Sequence, residues 1–130
     1  MKYLLDTNAV SFAIRGVGNV GTTILEQKPE DIVVSSITEA ELWYGVRKRK
    51  SKKLDKLVSD FLAPIKKIDF SSSDALIFGK LFSDLEKKGS VIGMADTMIA
   101  SIAICNTLVL VTDNVKHFKR IKGLKIENWK

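Results

Sequence analysis

Two short apolar runs, each stopped by an acid, constrain this chain more than any other feature. The first is Tyr3-Leu4-Leu5, followed by Asp6-Thr7-Asn8; the second is Leu108-Val109-Leu110-Val111, followed by Thr112-Asp113-Asn114. Neither run alternates apolar with polar residues. Each therefore reads as a strand covered on both faces, the setting of a parallel sheet flanked by helices. In an open α/β sheet, ligands bind beyond the carboxyl ends of the strands, where both acids fall. Asp6 also has a plainer reading, because Asp is a preferred N-cap and a helix-like segment follows it.

The residues between the two runs supply the alternating elements such a sheet requires. Val10 to Ile14 predicts a short helix closing at Arg15-Gly16, and Thr22 to Gln27 a second one stopped before Pro29. Asp31 to Ser35 is the second strand. Ser36-Ile37-Thr38-Glu39 reads as a capping box with Ser36 at the N-cap, which gives Glu39 a local duty. Glu41 has none. At about 100° per residue it falls between Ile37 and Tyr44, with Gly45 leaving room for another group. Its alternative is a border carboxylate that reaches solvent. The helix runs on into Arg47, Lys48, Arg49, Lys50, Lys52 and Lys53, a cluster suited both to a helix C-terminus and to an RNA backbone. A solvated charge run is the default for such a segment.

Leu54, Leu57, Val58, Phe61 and Leu62 have helical spacing up to Pro64, and Ile65 to Phe70 is a weaker third strand. Ser71 to Asp74 is another capping sequence, so Asp74, like Asp69, reads as structural. Ala75, Leu76, Phe78, Gly79, Leu81, Phe82 and Leu85 are expected to form the core face of a long helix. Met94 to Cys105 is apolar almost all round, as a central helix should be. Its one charge, Asp96, lies in the first turn, where the helix dipole favours an anion. Leu124 to Ile126 is a last short strand inside a basic tail.

Length and charge narrow the function. A chain of 130 residues is expected to be one domain, 1–130, and its 45% hydrophobic and 28% charged residues exclude a mainly disordered protein. No apolar run approaches the roughly 20 residues that cross a bilayer, and Asp6 interrupts the N-terminus too early for a signal peptide. A single cysteine, Cys105, permits no disulfide framework. A cytoplasmic protein is expected. Lys plus Arg exceed Asp plus Glu by 21 − 15 = 6, which points to polyanions, nucleic acid in particular. One histidine, His117, is too few for RNA cleavage by a His acid and a His base, and a zinc cluster of His and Cys is equally unsupported. Neither GxGxxG nor GxxxxGK[ST] occurs, which argues against nucleotide cofactors.

Four acids remain without a simple local duty: Asp6, Glu41, Asp96 and Asp113. If strand ends and helix starts converge on one side of the sheet, these carboxylates crowd one cleft and need a counter-charge. A hard divalent cation supplies it, and oxygen-only ligands suit Mg²⁺ or Mn²⁺. Beside a basic surface, the natural chemistry is phosphodiester hydrolysis by an activated water. Asn8, Thr112 and Asn114 are candidates to steady the carboxylates or contact phosphate.

These segments together resemble a PIN-domain ribonuclease of the VapC type, the toxin of a toxin–antitoxin pair. The carriers are Tyr3 to Asn8, Ser35 to Gly45, Ile92 to Ala100, Leu110 to Asn114 and Ile121 to Trp129, in order and over nearly the whole chain. The resemblance implies a three-layer fold with a central parallel sheet of order 3-2-1-4-5. It places the family's acids on Asp6, Glu41 and Asp96, and the fourth on Asp113, with Asn114 as the competing position. It further implies an Mg²⁺- or Mn²⁺-dependent endoribonuclease that arrests translation, with an initiator-tRNA anticodon region as a target. A VapB-type antitoxin, whose tail enters the groove, and a homodimer are the implied partners. Two alternatives stand beside this reading. One is an inactive PIN-fold RNA-binding module, against which the three acids argue. The other is a phosphotransfer protein using Asp6 as nucleophile, in which a second acid is expected where Asn8 stands.

Overall fold

The structure, a computed structural model, describes residues 1–130 and is built around its first strand. That strand, β1 (Tyr3–Leu5), lies between β2 (Ile32–Ser35) and β4 (Val109–Val111), both parallel to it. Outside these lie β3 (Lys66–Ile68) and β5 (Lys125–Glu127), also parallel to their neighbours, giving the order β3-β2-β1-β4-β5. The order matches the expected 3-2-1-4-5. Parallel neighbours need crossover connections, and helices supply them. α1 (Thr7–Arg15) and α2 (Val20–Glu26) follow β1; α3 (Ser36–Arg49) and α4 (Lys52–Leu62) follow β2. After β3 come α5 (Ser72–Lys87) and α6 (Met94–Cys105), and the short α7 (Val115–Phe118) follows β4. No helix is long and apolar enough to cross a membrane.

The pleat explains why the central strands are apolar throughout. Successive residues of β1 point to opposite faces, so Tyr3 and Leu5 enter one core and Leu4 the other. The first core also takes Val10, Val34, Val58, Val111 and Trp129, and the second takes Val33, Ile99, Ile102, Leu110 and Phe118. Trp129 closes the first core edge-on against Tyr3, with ring centroids 4.8 Å apart. The indole N–H donates to Glu127 Oε1 at 2.9 Å, so its burial leaves no donor unpaired.

Several local expectations are corrected. The N-cap of α3 is Ser35, whose hydroxyl accepts from Thr38 N–H at 3.1 Å. Ser36 is the first helical residue, so Glu39 holds no capping-box position. Ser35→Ala is expected to cost about 1 kcal/mol, measurable by chemical denaturation. The box at Ser71 and Asp74 is present as expected, with both reciprocal bonds formed. Asp74 is then buried beside Cys105, whose thiol is pushed up by burial and by that carboxylate. The start of α5 thus lies against the end of α6.

The core face of α5 is the third correction. Asp74, Leu81 and Leu85 turn inward or halfway inward, whereas Leu76 is 80% exposed. Leu76 and Leu85 are nine residues apart, about half a turn out of phase at 100° per residue. No single stripe can hold both. β3 is also shorter than Ile65 to Phe70, and β5 lies one residue later than Leu124 to Ile126.

Candidate active site

Asp6 lies where β1 ends and α1 begins. Its backbone N–H donates to Val111 O at 3.0 Å, tying the ends of β1 and β4 together. Its Oδ1 accepts from Ala9 N–H at 2.8 Å, so the residue does cap α1. Capping engages one oxygen of the carboxylate, and the side chain is 4% exposed. Burial raises its pKa to about 6, against the restraining bonds from the Thr112 hydroxyl and Ala9 N–H; Asp96 and Asp113 push it further in the same direction. No cation of the chain offsets it. The two ion pairs are Lys56–Asp60 on the surface and Lys130–Asp113, the latter at 3.9 Å.

The other acids come from three separate elements. Asp96, in the first turn of α6, is half-buried, and its pKa is raised by burial and by Glu41 and lowered by His117. Glu41 projects from the second turn of α3, exposed at the surface but held by Thr7 Oγ1, which donates to its Oε1 at 2.6 Å. The Thr7 and Thr38 hydroxyl oxygens are 3.1 Å apart and share one further hydrogen bond. Asp113 follows β4. Its neighbour Thr112 is buried, restrains the Asp6 pKa, and accepts from Asn114 N–H at 3.0 Å. Asn114 in turn places its side-chain nitrogen 2.9 Å from His117 Nδ1. The structure therefore links the acids in pairs, Asp6 with Asp96 and with Asp113, and Asp96 with Glu41, with Thr112 and Asn114 following on the turn after β4.

Electrostatic proximity is not a finished metal cage. No three His, Cys, Asp or Glu side chains are gathered closely enough to clasp one ion between them. The donor chemistry nevertheless fits Mg²⁺ or Mn²⁺. Mg²⁺ keeps several waters and is commonly held by one or two carboxylates plus substrate phosphates. Asp6 and Asp96 are the two whose raised pKa values register mutual or neighbouring acids. Asp113, drawn toward Lys130, and Glu41, fastened to Thr7, stand on either side.

A cleft of about 370 Å³ opens beside Glu41, lined by Thr7, Asn8, Arg15, Gly45 and Arg49 as well as apolar side chains. A Cβ added at Gly45 would meet nothing within 4 Å, so this stretch of α3 faces open space. The basic run is divided. Arg49 faces the acid-bearing cleft, Arg47, Lys50 and Lys52 line a separate depression with Asp55, and Lys48 and Lys53 line neither. Thr7, Thr38 and Arg15 were not anticipated as site residues. Thr38 precedes Glu41 by three residues and so shares its helix face, a signal present in the sequence. Arg15 reaches the cleft only through the packing of α1 on α3.

Residues 3–124 match the sequence family described as PIN domain. The chain is 44% identical over 132 residues to Ribonuclease VapC2 of Rickettsia felis, covering 99% of this chain and 98% of that protein. It is 32% identical over 130 residues, with the same coverage, to the tRNA(fMet)-specific endonuclease VapC of Salmonella typhimurium. Among solved structures, VapBC2 from Rickettsia felis bound to a promoter DNA fragment gives a TM-score of 0.91 at 41% identity, covering 100% of both chains. DNA-bound VapBC from Salmonella typhimurium gives 0.89 at 32% identity, covering 100% of this chain and 99% of that one.

Proposed function

Because the chain belongs to the PIN-domain family, we propose that residues 1–130 form one domain acting as the endoribonuclease toxin of a VapBC-type pair. The observation that carries this reading is Asp6: a buried carboxylate with no cationic partner, raised to about 6 and bordered by Asp96 and Asp113. Such a group is costly unless a cation completes it. Asp6 and Asp96 would hold Mg²⁺ or Mn²⁺, with Glu41 and Asp113 beside them. A divalent ion there supplies charge neutralisation at the phosphate and lowers the pKa of water. The reaction is hydrolysis of an RNA phosphodiester, in which a water oxygen bonds to phosphorus as the bond to the leaving ribose oxygen breaks.

The remaining residues have positional roles. Thr112 and Ala9 N–H hold the Asp6 carboxylate, Thr7 holds Glu41, and Asn114 fixes the turn after β4. Asn8, exposed in the first turn of α1, offers an amide to the RNA. The Salmonella relative's name motivates tRNA as substrate, cut to arrest translation in the cytoplasm. The VapBC complexes motivate a VapB-type antitoxin as partner; a homodimer is implied by the family resemblance alone.

Arg49 is the cation of the basic run that shares a cleft with Glu41. Arg49→Glu is therefore expected to weaken RNA binding about tenfold and to reduce the salt slope, whereas Lys53→Glu should do much less. Fluorescence anisotropy across a salt series measures both; equal effects from the two variants would return the run to a solvated helix end. The activity itself is tested with labelled tRNA and Mg²⁺, comparing wild type with Asp96→Asn. Discrete fragments from wild type alone are expected, and undiminished cleavage by Asp96→Asn would contradict the assignment.

A further inference from the structure

The one histidine, His117, takes no part in the proposed hydrolysis, yet its setting is well defined. His117 lies in α7, and the next residue, Phe118, is 1% exposed in the second core, so the short helix is anchored. Asn114 Nδ2 lies 2.9 Å from His117 Nδ1. An amide nitrogen only donates, so Nδ1 accepts and the neutral ring carries its proton on Nε2. Asn114 is fixed in turn: its N–H donates to Thr112 Oγ1, and its carbonyl accepts from the N–H groups of His117 and Phe118, both at 3.2 Å. The Thr112 hydroxyl lies near enough to Asp6 to restrain its pKa. A continuous set of contacts thus runs from Asp6 through Thr112 and Asn114 to His117, and the imidazole stands within electrostatic reach of Asp96. The ring is exposed, and Asn114 is its side-chain partner.

Resting on the ribonuclease reading, we propose that His117 is a substrate-contacting residue whose Nε2–H donates to a non-bridging phosphate oxygen of RNA bound at the carboxyl edge beside Asp96. Neighbouring carboxylates repel a phosphodiester, and exposed donors beside them are what orient the strand before reaction. A ring serving only to brace Asn114 would need Nδ1 alone. The Asn114 contact instead selects the tautomer that offers a donor on the opposite nitrogen.

Three variants separate these roles, because Gln places its amide near the imidazole Nε2 and Asn places its amide near Nδ1. His117→Ala, His117→Gln and His117→Asn are made in wild type for kinetics, and together with Asp6→Asn for binding. The probe is a fluorescein-labelled single-stranded RNA with Mg²⁺. His117→Ala is expected to raise Kd and KM roughly ten- to hundredfold, the range for a hydrogen bond to a charged group. His117→Gln should stay within about threefold of the parent, His117→Asn should match the alanine variant, and the Mg²⁺ concentration for half-maximal rate should not move. Unchanged binding by His117→Ala, rescue by Asn in place of Gln, a shifted Mg²⁺ requirement, or no RNA binding by Asp6→Asn itself overturns the proposal. If wild type fails to cleave RNA while alanine still loses binding and Gln restores it, the nuclease reading falls and the contact stands.

Discussion

Asp6→Asn is expected to lower the single-turnover rate of RNA cleavage at least about a thousandfold while leaving the fold intact, a loss of about 4 kcal/mol in the barrier. The substitution is nearly isosteric, and Asn is as good an N-cap as Asp, so Ala9 N–H keeps its acceptor. What disappears is the charge. Asp6 is the most buried of the four acids and the one that Asp96 and Asp113 both border. Cleavage within tenfold of wild type, with an unchanged circular-dichroism spectrum, would mean that the chemistry lies elsewhere.

The second expectation concerns stability in the absence of divalent ions. Asp6 has a folded pKa of about 6 against an ordinary value of 3.8. Below 3.8 the carboxyl is protonated in both states and contributes nothing. Between 3.8 and about 6 the unfolded chain has lost the proton that the folded chain still holds, so stability falls as pH rises. Above about 6 both states are ionised and the full penalty, about 3 kcal/mol, is present. Asp96, also raised, acts in the same direction. Denaturant titrations in EDTA at pH 4.5 and 7.5 should therefore show the Asp6 contribution as a decline with pH that is flattened in Asp6→Asn. At pH 7.5 that variant should be the more stable protein. A wild-type decline preserved in full by Asp6→Asn would remove Asp6 as its source.

The sequence carried the sheet and the four acids more completely than it carried their surroundings. β1, β2 and β4 were legible because strands buried on both faces need unbroken apolar runs, and their order followed from the family resemblance. The convergence of Asp6, Asp96 and Asp113 was legible because strand ends and a helix start share the carboxyl edge. The face of α5 was not. Its apolar residues extend more than halfway round the helix, and only packing on α6 selects Leu81 and Leu85 over Leu76. The cap of α3 was misplaced by one residue because Ser35 and Ser36 are chemically alike, and the backbone decides which hydroxyl faces Thr38 N–H. Thr7 and Arg15 reach Glu41 and its cleft through contacts between α1 and α3, which no local pattern encodes. The basic run shows the same limit. Its composition suggested RNA, while the helix phase sends Arg49 alone into the acid cleft.

If Asp6 and its neighbours form one divalent-cation site, calorimetric titration of the EDTA-treated, desalted protein with Mn²⁺ at pH 7 will register it. The predicted result is saturable binding by wild type that Asp6→Asn and Asp96→Asn each weaken about tenfold or more, with no loss in Lys56→Ala at the distant surface ion pair. Binding of equal strength in wild type and Asp6→Asn, or none in wild type, would contradict it.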